Sequence, residues 1–114
     1  EVFLWGDGCV YREFMASNDL ADACIYLLKN YNQKEIGDIV NITSGNDIKL
    51  SELFELMKKI VQYDGNIKYD NSKPSGTYRK LLDDNKIKSL GWKPKIDLET
   101  GIKNLYDWYV KTTL

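Results

Sequence analysis

The chain has 114 residues, 43% apolar and 29% charged, with 16 basic and 17 acidic side chains for a net charge of −1. That is one domain or a piece of one, large enough for a core and without the long cationic field of a nucleic-acid binder. No apolar run approaches the roughly 18 residues of a membrane span, no signal peptide is visible, and there is no histidine. Cys9 and Cys24 are too few and too unpatterned for a disulfide framework or a metal site. The expectation is a reduced, cytoplasmic protein with no nucleic-acid or membrane partner. The start at Glu1, without methionine and inside a strand-like run, reads as a segment of something longer.

Residues 1–5 are β-prone, and Gly6-Asp7-Gly8 reads as the turn of a hairpin whose second strand runs from Cys9 to Phe14. Asn18 is a candidate N-cap for a helix whose buried stripe would be Leu20, Ala23, Cys24, Leu27 and Leu28. On that stripe Cys24 reads as core filler. Tyr31 to Gly37 reads as polar loop, Ile39 to Thr43 as a short strand, and Ser44 to Asp47 as a turn. Leu50, Leu53, Phe54, Met57 and Ile60 or Val61 mark a second amphipathic helix, and Ile67 to Tyr69 a third strand. Asp83 or Asp84 would cap a short helix through Leu90, stopped by Gly91, and Trp92-Lys93-Pro94 would lead to the last helix. Asp97 would cap that helix, with Leu98, Ile102, Leu105 and Trp108 or Tyr109 buried. Gly101 inside it costs about 1 kcal/mol against Ala and so predicts close packing there. The sum is an α+β fold: three main helices, a fragment of a fourth and short strands, in one unit over 1–114.

Candidate chemistry centres on Ser72 to Lys80, a stretch with Lys73, Arg79 and Lys80, no acid, and Pro74 and Gly76 to shape it. Such a loop suits phosphate oxygens, and it reads equally as a solvated basic loop. Trp5 and Arg12 bracket the Gly-Asp-Gly turn, as an aromatic plate beside a guanidinium. The plainer reading makes Trp5 core and Arg12 an ion-pair partner of Glu13 or a nearby Asp. With Arg79 and Lys80, the pair would make a diphosphate clamp with an aromatic wall. Other motifs fail. Gly6-x-Gly8 has no helix behind it to receive a pyrophosphate. Tyr69-x-x-x-Lys73 cannot share a helical face, because Asp70-Asn71-Ser72 and Pro74 forbid the helix. Without histidine no catalytic triad can be built, and the acids are scattered. No metal-binding residue is expected in this segment.

Trp5-Gly-Asp-Gly-x-x-x-Arg12-Glu-Phe14, Asn18-Asp-Leu-Ala21, Asn41-Ile-Thr-Ser-Gly45, Leu50-Ser-Glu-Leu53 and Leu90-Gly-Trp-Lys-Pro94 occur in an order that resembles the substrate-binding part of extended short-chain dehydrogenases. Lys73-Pro-Ser-Gly-Thr-Tyr-Arg-Lys-Leu-Leu-Asp83 narrows the resemblance to the GDP-L-fucose synthase family. It implies that Trp5 and Arg12 contact a GDP-sugar, that Lys80 completes the site, and that Leu4 and Ser75 lie beside it. It further implies epimerisation at two sugar carbons and reduction of a 4-keto group by NADPH. NADP would bind an upstream Rossmann domain, which would also hold the catalytic residues, and the parent enzyme would be a homodimer in many members. Departures from the family pattern are Ala16-Ser17-Asn18 before the first helix, Ser75 where Asp is common, and Lys49 where a capping Thr is usual. Alternatives within the resemblance are a UDP- or dTDP-sugar epimerase or dehydratase, and a non-catalytic paralogue.

Overall fold

Residues 1–113 are described by the computed structural model. In chain order the elements are β1 (Val2–Trp5), β2 (Tyr11–Glu13), α1 (Ser17–Asn30), α2 (Gln33–Ile36), β3 (Asp47–Lys49), α3 (Leu50–Ile60), β4 (Ile67–Asp70), β5 (Arg79–Lys80), α4 (Asn85–Ser89) and α5 (Leu98–Thr113). The class is α+β, as the sequence pattern indicates, with two short helices beyond the three main ones.

The strand pairing departs from the expected hairpin. β1 pairs in parallel with β4, Val2 opposite Ile67 and Trp5 opposite Asp70. β2 is the middle strand of a separate sheet, antiparallel to β3 and parallel to β5. Gly6 and Gly8 do take positive φ, +81° and +72°. Their freedom serves the neighbouring segment instead of a fold-back. The Gly6 amide donates to the Asp70 carbonyl at 3.0 Å, and a Cβ on Gly8 would stand 2.5 Å from Tyr69 Cε1. Segment 39–43 is not a strand either. It finds no backbone ladder, and Thr43 is instead buried with its hydroxyl donating to the Glu13 carboxylate.

Helix α1 starts at Ser17 with Ala16 at its cap position, so Asn18 lies inside the first turn and caps nothing. Its buried face is Asp19, Ala23 and Leu27, whereas Leu20, Cys24 and Leu28 of the predicted stripe point out, Leu28 at 82% exposure. The reason is a polar anchor. Asp19, 2% exposed, accepts the backbone amides of Lys95 at 3.0 Å and Ile96 at 2.9 Å. That fixes which face of α1 meets the 92–96 connector. Cys24 is therefore surface, not core. Within the predicted loop 31–37, Asn32 and Glu35 form a capping box for α2.

The core is small: Ala23, Leu27, Ile87 and Trp92, flanked by Met15, Tyr26, Tyr31 and Leu90. Trp92 Nε1 donates to Asp22 Oδ2 at 2.9 Å, and both Tyr26 and Tyr31 hydroxyls donate to the Leu90 carbonyl that α4 leaves open. Asp97 caps α5 as expected, accepting the Thr100 amide at 2.9 Å. The predicted buried face of α5 is open, however, with Leu105 and Tyr109 exposed and Trp108 at 61%. Gly101 is not tightly packed, since a Cβ there would meet Ile96 and Ala16 at ordinary contact distances of 3.6 and 3.7 Å. An apolar groove lined by Phe14, Leu53, Met57, Ile96, Ile102 and Trp108 separates α5 from α3 and the start of α1.

Replacing Asp19 by Ala strands two part-buried N–H groups, each costing about 1–3 kcal/mol where water cannot take the place of the carboxylate. The expected loss is roughly 2–4 kcal/mol in denaturant unfolding, and Asp19→Asn, which keeps an acceptor, loses clearly less. An unchanged midpoint for Asp19→Ala contradicts the anchor.

Candidate functional site

Because β1 and β2 each pair in parallel with β4 and β5, the turn after β1 and the basic loop after β4 lie next to each other. They are joined by side chains as well. Ser75 Oγ donates to Asp7 Oδ1 at 3.1 Å and accepts the Asp7 amide at 3.2 Å. A Cβ on Gly6 would come within 2.8 Å of the Ser75 Cα, so only glycine permits this approach. The Lys73 ammonium sits 5.7 Å from the centroid of the Trp5 ring. Asp70 shapes the start of the loop, its Oδ1 accepting the Ser72 amide at 3.0 Å.

The three-stranded sheet sorts its side chains by period-two alternation. Arg12, Ile48 and Lys80 are cross-strand partners on one face, while Tyr11, Glu13, Asp47 and Arg79 belong to the other. Arg12 Nη1 donates to the Tyr11 carbonyl at 2.6 Å and the Thr77 carbonyl at 2.7 Å, which aims its guanidinium at the basic loop. Its Nε and Nη2 make no hydrogen bond among the described residues, and neither Arg12 nor Lys80 has an acidic partner there. Like charges side by side on adjacent strands are destabilising unless something between them is negative.

Arg79 faces away from this pair. Its Nε and Nη2 donate to the two oxygens of Asp47 at 2.5 and 3.0 Å, and its guanidinium lies 5.5 Å from the Tyr11 ring centroid. The hydrogen bonds and charge of Asp47 raise the Arg79 pKa further above its usual value.

Of the residues singled out in the sequence, Ser75 reaches the Gly-Asp-Gly turn, Trp5 lies beside Lys73 of the basic loop, and Arg12 reaches Thr77 of that loop with Lys80 as its register partner. Trp5 is 71% exposed, a free plate and not core, and Arg12 pairs with neither Glu13 nor another acid. Leu4 stands half-buried in β1 opposite Tyr69. Arg79 is on the opposite sheet face, tied to Asp47. Ser75 uses its hydroxyl on Asp7, so it is a joint between loops. Tyr69 lies in β4 and Lys73 in the following loop over Trp5, so the Tyr-x-x-x-Lys spacing has no functional counterpart here. Sequence reasoning missed Asp7 and Asp47. The only signal for Asp7 was an acid between two glycines, and Asp47 looked like a turn residue.

The profile of the NAD dependent epimerase/dehydratase family matches residues 1–43. The chain is 48% identical to GDP-L-fucose synthase 1 of Arabidopsis thaliana over 97% of its own length and 33% of that protein's. A GDP-6-OMe-4-keto-L-xylo-heptose reductase from Campylobacter jejuni superposes with a TM-score of 0.91 at 40% identity, over 97% of this chain and 34% of that one. A GDP-mannoheptose C4 reductase from the same organism, solved with NADP bound, gives 0.84 at 40% identity over 95% of this chain and 34% of that one. The chain is similar to these proteins along nearly its whole length. It spans about a third of the length of the relatives it matches.

One of these similar structures holds NADP, and the residues present here do not fit a nicotinamide cofactor. The Gly6-Asp7-Gly8 turn opens into Cys9, Val10 and β2, with no helix N-terminus behind it to receive a pyrophosphate. What these residues offer is a cationic pair, an exposed indole and a preshaped loop.

The Asp7–Ser75 joint has a defined pH dependence. The Cys9 amide, first among its hydrogen-bond donors, and the Ser75 hydroxyl hold the Asp7 carboxyl below its ordinary 3.8. A depressed carboxylate contributes fully above the unfolded value and is lost only as pH falls through the folded one. The Cys9 amide shift in NMR should therefore stay constant from neutrality to about pH 4 and move only below it. A transition centred above the ordinary value contradicts the joint, and Asp7→Asn should abolish the transition.

Proposed function

We propose that this chain is the nucleotide-sugar-binding part of a GDP-L-fucose synthase, the NADP-dependent enzyme that converts GDP-4-keto-6-deoxy-D-mannose to GDP-L-fucose by epimerisation and reduction. The observation that carries the reading is the Arg12–Lys80 pair, two cations on adjacent strands with no acidic partner among the described residues. A diphosphate is an anion of matching charge, and Arg12 still has Nε and Nη2 to offer as a fork. Trp5 supplies a flat apolar surface for a ring of the ligand, and Lys73 braces it from one side. Leu4 lies directly before it in β1. Relatives and neighbours at 40–48% identity carry GDP in their names. This favours a guanine nucleotide over UDP or dTDP.

In this reading NADP is bound by a domain outside residues 1–114, and the chain's own residues bind and orient the sugar nucleotide. Its pyrophosphate lies between Arg12 and Lys80 while the sugar is presented to groups elsewhere in the enzyme. The organic step belongs to the cofactor, and holding the reacting carbon in place is the protein's part.

Isothermal titration of the full-length protein with GDP and UDP tests this. GDP should bind and UDP should bind more weakly. A charge-assisted phosphate contact is worth about 1.5–3 kcal/mol, so Arg12→Ala should weaken GDP binding roughly 10- to 150-fold. Arg12→Lys should recover part of that loss, and Lys80→Ala should show a smaller, more salt-sensitive one. An unchanged Kd for Arg12→Ala, or equal binding of both nucleotides, refutes the assignment.

A further inference from the structure

Strand β5 has two residues, Arg79 and Lys80, and one of them sits beside Arg12 on the adjacent strand. A strand this short is held by little backbone pairing, and charge repulsion on one face pushes it away from β2. The other face carries an opposing device. Arg79 reaches from β5 over the Tyr11 ring of the central strand to Asp47 on β3, so one side chain ties the two outer strands together. The Asp47 side chain is 8% exposed, which makes this a better-shielded pair than an ordinary surface one. The Tyr11 and Tyr78 rings, packed edge to face at 5.7 Å, brace the same junction.

We propose that Asp47 and Arg79 are positioning residues whose clasp on the far face of the sheet keeps Lys80 beside Arg12 when no anion is bound. The clasp preorganises the two-cation site, so a ligand does not have to order β5 as it binds. The role of Lys80 as an anion contact rests on the diphosphate reading above, whereas the clasp itself does not.

The test is a cycle of Asp47→Asn and Lys80→Met, singly and together, in the full-length protein. The Tyr11 amide donates to the Tyr78 carbonyl at 2.8 Å, and its hydrogen exchange reports the β2–β5 junction. Asp47→Asn should raise that exchange about fivefold, the order of a well-placed ion pair. In the Lys80→Met background, where the repulsion is gone, the same substitution should change it by less than twofold. Titration with inorganic pyrophosphate should repeat the pattern, with about fivefold weaker binding for Asp47→Asn alone. Equal effects in both backgrounds mean a generic structural tie and overturn the proposal. Should Asp47→Asn fail to fold, Arg79→Lys, which keeps the charge and loses the fork, takes its place in the cycle. If the unmodified protein binds neither pyrophosphate nor GDP, the diphosphate reading fails, and the exchange cycle still decides the clasp.

Discussion

Two parallel strand pairs determine nearly everything about this protein's candidate site. β1 beside β4 and β2 beside β5 bind residues 2–13 to residues 67–80 as two ribbons running the same way. Whatever connects β1 to β2 must then lie against whatever connects β4 to β5. Those connections are the Gly-Asp-Gly turn and the basic loop, and glycine at position 6 lets them touch at Ser75. Parallel strands require a long crossover, and here the crossover is most of the domain: α1, α2, β3 and α3. The helices and their core therefore serve as the scaffold that closes this pairing.

The same alternation that makes a sheet two-faced divides the labour between neighbouring residues. Arg79 and Lys80 are adjacent in sequence and carry the same charge, yet they have opposite surroundings. Arg79 is neutralised by Asp47 and laid over Tyr11, and Lys80 stands unneutralised beside Arg12. A pair of cations left without an acid would be a defect in a purely structural sheet. Here it lies on the strands that flank the basic loop, and the proposed diphosphate reading accounts for it.

The distribution of apolar surface fits a chain that corresponds to a third of its relatives. Its core holds few residues, while Leu28, Leu105 and Trp108 stand open and a groove runs beside α5. Amphipathic periodicity identifies that a helix has an apolar stripe, but it does not say whether a partner for the stripe lies within these residues. For α5 the stripe was real and its cover is not among the elements described. For α1 the decision fell to Asp19, a polar residue that periodicity treats as solvent-facing.

By itself the sequence determined the α+β class, the three main helices, the cap at Asp97, the stop at Gly91 and the cationic character of the 72–82 loop. All of these depend on backbone preference and side-chain chemistry within a few residues. The tertiary structure alone decided that β1 joins β4 and not β2, and that Thr43 is buried without a strand. It also decided that Ser75 answers Asp7 and that Arg79 answers Asp47. Each of these is a contact between distant parts of the chain. A glycine turn, a serine or an arginine has the same local preferences whichever partner it meets, so only the closed fold selects among them.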